Sequence, residues 1–129
     1  MSKILAIDYG EKRLGIALSD ETKTIAIPKP YINADEKEEL LTLIEKNNIE
    51  VILLGLPLNL QGQDSIMTGK VRDFAEWLKQ KVNLPIHLID ERFSSQEIAR
   101  TTKDREAIDS LVAQKMLERH LEKIRSKKN

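Results

Sequence analysis

Three acidic residues stand beside apolar residues, where a charge is not needed for solubility. Asp8 and Glu91 each follow a mainly apolar run, and Asp109 lies in an apolar stretch near the C-terminus. A cluster of carboxylates without His or Cys suits hard cations such as Mg²⁺ or Mn²⁺. Two such ions about 4 Å apart activate water and stabilise the leaving oxygen in phosphodiester cleavage. If the three acids converge, they predict a two-metal hydrolytic site.

Each acid also has an ordinary explanation, and spacing alone leaves both open. Asp8 can form a turn before Gly10, and Glu91 can pair with Arg92. Asp109 can stabilise a helix by lying near its N-terminus. The metal-site hypothesis therefore depends on which elements carry the three residues.

The first third of the chain predicts an antiparallel meander of three strands. Residues 3–9 form a buried apolar run that Gly10 ends, and residues 14–18 form a second short strand. Residues 24–32 predict a third strand, whose two prolines place it at a sheet edge.

Helices and strands alternate in the rest of the chain. We expect a helix at residues 35–47, opened by Asp35 and Glu38 as a capping pair, and a second helix at residues 65–82. Residues 51–56 and 85–90 predict two further strands. A short helix from Ser94 and a last helix that Asp104 caps and that runs to about residue 125 complete the chain. The order βββαβαβα predicts an α/β fold with one mixed five-stranded sheet and helices on both faces. Asp8 and Glu91 then lie at the carboxyl ends of parallel strands, where sites gather in such sheets.

Composition sets limits on the class of protein. The 129 residues are 40% apolar and predict a single domain spanning 1–129. Absence of cysteine excludes thiolate zinc sites and disulfides and favours the cytoplasm. No run approaches the length of a membrane span, so we expect no membrane contact. Because 21 basic residues balance 21 acidic ones, any nucleic-acid surface must be local.

Four segments carry a resemblance to a known family. They are DYGEKRLGIALSD at residues 8–20, GLPLNLQGQ at 55–63, DERFSSQE at 90–97 and AIDSLVAQKMLERHL at 107–121. In order and spacing they resemble the four motifs of the YqgF family, also called RuvX, across essentially the whole chain. The last segment differs slightly, since the family has two small residues close after the aspartate and this chain has Leu111 and Val112 before Ala113.

The resemblance implies a ribonuclease H-like fold related to the Holliday-junction resolvase RuvC. It also implies a metal-dependent nuclease that processes the 5′ end of pre-16S ribosomal RNA in ribosome biogenesis. By the same resemblance, Asp8, Glu91 and Asp109 are the catalytic metal ligands, with Mg²⁺ or Mn²⁺ as cofactor.

Other residues of these segments are candidates for binding substrate. Gly10 allows a tight turn and close approach to a phosphate, while Lys12 and Arg13 can pair with phosphates, or all three form an ordinary hairpin turn. Asn59 lies in a polar loop that either touches substrate or simply connects two elements. Arg92 either holds the neighbouring carboxylate or contacts the scissile phosphate.

Alternative functions remain open from the sequence. The same fold and acids could cut DNA four-way junctions, which a homodimer would favour and a monomer would not. A nucleotide-binding module or a non-catalytic RNA-binding factor is the remaining alternative. The sequence also leaves open whether Asp20 or Asp90 joins the site, and Asp90 is expected to lie closer.

Overall fold

The computed structural model describes residues 2–56, 66–90 and 105–127, and for residues 105–109 and 127 it describes the backbone alone. In chain order the elements are β1 (Lys3–Tyr9), β2 (Arg13–Ser19), β3 (Ala26–Asn33), a 3₁₀ turn (Ala34–Glu36), α1 (Glu38–Lys46), β4 (Ile49–Leu56), α2 (Ile66–Lys81), β5 (Ile86–Asp90) and α3 (Arg105–Lys127). No helix within these ranges is long and apolar enough to cross a membrane.

The five strands form one mixed sheet in the order β3-β2-β1-β4-β5. Strand β1 lies at its centre, antiparallel to β2 and parallel to β4, and β4 is parallel to β5. The predicted α/β fold and the order βββαβαβα are confirmed. The third strand lies at an edge, as Pro28 and Pro30 predict, because proline cannot donate a hydrogen bond to a further strand.

Helices cover both faces of the sheet, and each face has its own apolar core. On one face, α1 and α2 pack on Leu5, Ile7 and the alternate residues of the neighbouring strands. On the other face, α3 packs on Ile4, Ala6 and their neighbours. Because side chains alternate along a strand, the residues of β1 divide strictly between these two cores.

The start of α1 differs from the prediction. We expected Asp35 and Glu38 to form a capping pair, but the helix begins at Glu38 and its N-cap residue, Lys37, makes no side-chain capping hydrogen bond. A 3₁₀ turn occupies the preceding residues, where the side chain of Asn33 donates to the carboxylate of Glu36 at 3.3 Å. The predicted short helix at Ser94 and the predicted cap at Asp104 lie outside the described residues.

Asp20 organises the turn between β2 and β3. Its carboxylate accepts hydrogen bonds from the N–H groups of Thr24 at 2.7 Å and Ile25 at 3.0 Å, and from the hydroxyl of Thr22. These donors, with the Thr22 hydroxyl first, lower the pKa of Asp20 to about 2. Asp20 follows the last residue of β2, which is antiparallel to β1, so it lies roughly 17 Å along the sheet from the level of Asp8. It is therefore a turn residue and not part of a site at Asp8.

We expect Asp20→Ala to lower the melting temperature by a few degrees near neutral pH, because three donors lose their acceptor. The pKa in the folded state lies below the ordinary value of 3.8, so the stabilisation is complete above that value and is lost as the pH falls toward about 2. Thermal melts of wild type and Asp20→Ala from pH 7 to pH 2 should therefore converge at low pH. A difference that is constant with pH would show that the charge of Asp20 contributes nothing.

Candidate functional site

Asp8 lies next to the carboxyl end of the central strand. It is half-buried and continues the alternating row of Ile4 and Ala6, which places its side chain on the sheet face that α3 covers. Its partner in the register of β2 is Gly15. The carboxylate thus stands at the end of a row of buried apolar residues, on the side from which α3 approaches.

Glycines flank Asp8 on both neighbouring strands. Gly15 is its direct partner on β2, and continuing the β1–β4 register by one residue from Ile7 and Leu54 brings Gly55 to the same level. Both glycines are buried and lie on the α3 face by strand alternation. Neither neighbouring strand therefore has a side chain level with Asp8 on this face.

A buried serine fixes α3 against this end of the sheet. The hydroxyl of Ser110 accepts from the N–H of Ile16 at 3.3 Å and donates to the carbonyl of Lys29 at 2.7 Å. Ile16 and Lys29 face each other across β2 and β3, so the hydroxyl joins three elements at one point. Ile16 follows Gly15, the register partner of Asp8. Because Ser110 is bonded to Ile16, the helix backbone at the preceding residue, Asp109, lies at the end of the sheet where Asp8 lies.

The other predicted ligand positions are only partly described. Glu91 lies outside the described residues, as does the side chain of Asp109, so the convergence of the three acids stays a prediction. Strands β1 and β5 run parallel with β4 between them, which separates them by roughly 9.5 Å. Asp90 ends β5 at the same end of the sheet as Asp8 and is exposed. Among side chains in the described ranges, no three of His, Cys, Asp and Glu form a group that could hold a metal.

The turn between β1 and β2 is tight, as the glycine predicts. A Cβ atom at Gly10 would lie 2.6 Å from the carbonyl oxygen of Arg13, so only glycine fits this turn without a shift of the backbone. The carbonyl of Lys12 accepts from the N–H of Ala34 at 2.9 Å, and the Lys12 side chain is exposed. The guanidinium of Arg13 lies over the ring of Tyr31, 5.6 Å from its centre.

The remaining predicted contacts, Asn59 and Arg92, lie outside the described residues. Sequence reasoning missed two features that the structure does describe, the Ser110 hydroxyl and the position of Gly55. A serine inside the apolar row of an amphipathic helix was the available signal for Ser110. Nothing in the sequence indicates that Gly55 lies level with Asp8, because that depends on strand register.

One flank of α3 borders a groove toward β5. The groove has a volume of about 550 Å³ and is lined by Ile89, Asp90, Met116, Arg119, His120, Glu122, Lys123 and Ser126. Arg119 and Lys123 are exposed and one helical turn apart, with Lys115 one turn before them. On the opposite flank, Glu118 and Arg125 line a separate groove beside β3. Arg119 and Lys123 therefore lie on the β5 side together with the acids Asp90 and Glu122, whereas Arg125 lies on the other side.

Comparison with known proteins identifies close relatives of this sequence. The profile of the family RuvX, described as "Holliday junction resolvase", matches residues 2–123. A relative from Maridesulfovibrio salexigens is 44% identical over 97 residues, which cover 72% of this chain and 72% of that protein. A relative from Koribacter versatilis is 38% identical over 133 residues, covering 94% of this chain and 87% of that protein. Both bear the name "Putative pre-16S rRNA nuclease".

Solved structures resemble the fold at low sequence identity. RuvC from Thermus thermophilus aligns with a TM-score of 0.58 at 12% identity, covering 96% of each chain. T. thermophilus RuvC in complex with a Holliday junction substrate aligns with a TM-score of 0.53, also at 12% identity, covering 97% of this chain and 96% of that one. These likenesses confirm the predicted ribonuclease H-like fold.

We expect Ser110→Ala to lower the free energy of unfolding by about 1–3 kcal/mol, because it leaves the buried N–H of Ile16 and the partly buried carbonyl of Lys29 without their shared partner. Ser126→Ala, an exposed serine on the same helix, is the matched control and should change stability by less than about 0.5 kcal/mol. Urea unfolding followed by circular dichroism measures both. Equal stability of the two variants would contradict the role given to Ser110.

Proposed function

The chain belongs to the RuvX family, and on that premise we propose that it is a nuclease that hydrolyses phosphodiester bonds of pre-16S ribosomal RNA at the 5′ end. The relatives' names supply the substrate, and the observation that carries the chemistry is the position of Asp8. Its carboxylate lies at the end of β1 on the face toward α3, with glycines on both sides. We further propose a single domain that acts in the cytoplasm.

Asp8, Glu91 and Asp109 are the proposed metal ligands and catalytic residues. They offer oxygen donors alone, a set that suits Mg²⁺ or Mn²⁺ better than softer metals. Bound ions of this kind supply an activated water and charge neutralisation at the leaving oxygen. Glycine at positions 15 and 55, level with Asp8 on both neighbouring strands, is consistent with a site that must admit both ions and a phosphate. Ser110, through Ile16 and Lys29, would keep Asp109 at a fixed distance from Asp8.

Charged residues around the acids would hold the substrate backbone. Lys12 lies in the tight turn that directly follows β1, and its side chain is exposed. Its ammonium group would therefore lie near a scissile phosphate bound at the end of β1. Arg13, whose guanidinium lies over the ring of Tyr31, is a proposed phosphate contact because a planar guanidinium can donate two parallel hydrogen bonds to a phosphate. Gly10 contributes by keeping the turn narrow. Asn59 and Arg92 complete the proposed binding residues.

Cleavage of a DNA four-way junction is the second candidate. The description of the matching family as "Holliday junction resolvase" favours it. A junction has two-fold symmetry, so its resolution needs two active sites held in a homodimer. Sedimentation of the purified protein therefore bears directly on this choice, since a stable monomer favours the RNA nuclease.

We expect Asp8→Asn to reduce metal-dependent cleavage at least about a hundredfold, because the amide cannot replace a carboxylate ligand. Labelled 5′-extended ribosomal RNA and a DNA four-way junction would be incubated in parallel with Mg²⁺, Mn²⁺ or EDTA. Cleavage of RNA that needs both metal and Asp8 supports the processing nuclease, and the same result on the junction supports the resolvase.

Asp20→Asn is the matched control, since it removes a carboxylate at the opposite end of the same sheet. It should cleave at the wild-type rate at a temperature where both proteins are folded. Folded wild type that cuts neither substrate with any metal would contradict the proposed activity.

Arg119 and Lys123, on the β5 flank of α3, should contribute to substrate binding. We expect Arg119→Gln and Lys123→Gln each to weaken RNA binding severalfold and to reduce the slope of log affinity against log salt by about 0.7–1. Arg125→Gln removes the same kind of charge from the other flank and should leave that slope unchanged. Fluorescence anisotropy of labelled RNA between 50 and about 200 mM salt measures the slopes. Equal effects of all three substitutions would exclude a role for this particular flank.

A further inference from the structure

We infer that the sheet face opposite Asp8 holds a pocket for one unpaired nucleobase of the substrate strand, an inference that rests on the proposed function. The pocket has a volume of about 220 Å³. We call it the Tyr9 pocket, and it is lined by Tyr9, Leu14, Ala34, Lys37, Lys70, Asp73 and Phe74.

The position of the Tyr9 pocket relates it to the proposed site. Tyr9 follows Asp8 directly, and strand alternation turns the two side chains to opposite faces of the sheet. Strand β1 ends at Tyr9, so the pocket and the carboxylate lie on the two faces of the sheet at the same end of this strand. A nucleic-acid strand whose phosphate lies at Asp8 and which passes the end of β1 would place a neighbouring base at Tyr9.

Aromatic side chains form the apolar part of the pocket. The rings of Tyr9 and Phe74 are 5.1 Å apart with a 43° angle between their planes, and Phe74 stacks on Trp77 at 5.7 Å. Phe74 is buried, which fixes the cluster, whereas Tyr9 is half-buried and keeps part of its surface at the pocket. Unpaired bases bind proteins by contact with such rings.

Charged groups of both signs form the rim. The ammonium of Lys70 pairs with the carboxylate of Glu11 at 2.6 Å, and this hydrogen bond raises the pKa of Lys70. The ammonium of Lys37 lies 4.4 Å from the centre of the Trp77 ring. Asp73 is exposed at the rim and can accept from ring or amino N–H groups, while the two lysines donate to ring nitrogens and carbonyls.

This combination selects a nucleobase over other ligands. A phosphate would use the two lysines but would leave the aromatic surface without a partner and would face Asp73, and a purely apolar ligand would use none of the charged groups of the rim. A base offers a flat apolar surface for the rings together with both donors and acceptors on its edge. The same chemistry would take the base of a free nucleotide, so the test must separate a strand from a mononucleotide.

The experiment measures binding in the Asp8→Asn background, where cleavage does not interfere. A labelled RNA hexamer and a hexamer of the same backbone without bases are titrated by anisotropy. We expect the abasic hexamer to bind about fivefold or more weakly. Trp77 is the single tryptophan of the chain, so its emission should change with the base-bearing RNA and not with the abasic one.

Two variants assign the base to this pocket. Asp73→Asn and Tyr9→Leu should each weaken binding of the base-bearing hexamer and leave the affinity for the abasic hexamer unchanged. The ratio of the first affinity to the second should therefore fall. Both variants keep the buried Phe74. Glu76→Gln removes an exposed carboxylate of the same helix outside the pocket and is the control. A ratio that stays at the wild-type value in both pocket variants would overturn the inference.

A mononucleotide such as AMP provides the last arm. Saturation of the pocket by AMP as tightly as by the hexamer would also overturn the inference, because the site would then serve a free nucleotide. None of these outcomes depends on cleavage. Failure of the nuclease proposal, seen as an inactive wild type, is therefore distinguishable from failure of the pocket.

Discussion

The central strand β1 must be covered on both faces, and this constraint determines the rest of the structure. Its residues alternate between a core beneath α1 and α2 and a core beneath α3, and those residues that lie inside the sheet are almost completely removed from water. Where the strand ends, the alternation continues into polar residues. Asp8 faces the α3 side and Tyr9 the other side, so a shift of one residue in register would exchange the carboxylate and the ring.

The approach of α3 depends on small residues and on one hydroxyl. Ala6 and Ala17 on the sheet and Ala113 on the helix are buried together, which lets the helix lie close to the strands. At that distance Ser110 reaches the backbone of two strands at once, and it is only 7% exposed. A hydroxyl that satisfies one buried and one partly buried backbone group is costly to misplace, so it fixes the rotation and the translation of α3 more strictly than apolar packing does.

Hydrophobic periodicity predicted the order of the elements, because strands of continuous apolar residues and helices with one apolar stripe differ clearly in pattern. The two prolines of β3 separately predicted that it lies at an edge of the sheet. The prediction failed at the start of α1, where Asp35 and Glu38 have the spacing of a capping pair. There the chain leaves β3 through a 3₁₀ turn, and local geometry competes with the capping motif. For the site, the sequence placed Asp8 at the end of a strand, but the level of Gly55 and the contacts of Ser110 depend on register between distant segments.

A chain without net charge can still present a surface for a polyanion, because the distribution of charge matters more than its sum. On α3, Lys115, Arg119 and Lys123 repeat every four residues, the β5-side groove also contains Asp90 and Glu122, and Glu118 lies on the other flank. A helix is about 10–12 Å across with its side chains, which is comparable to the Debye length of about 8–10 Å in physiological salt. A phosphate beside Arg119 and Lys123 would therefore interact with these cations, and with Asp90 and Glu122 in the same groove, far more strongly than with Glu118 on the opposite flank.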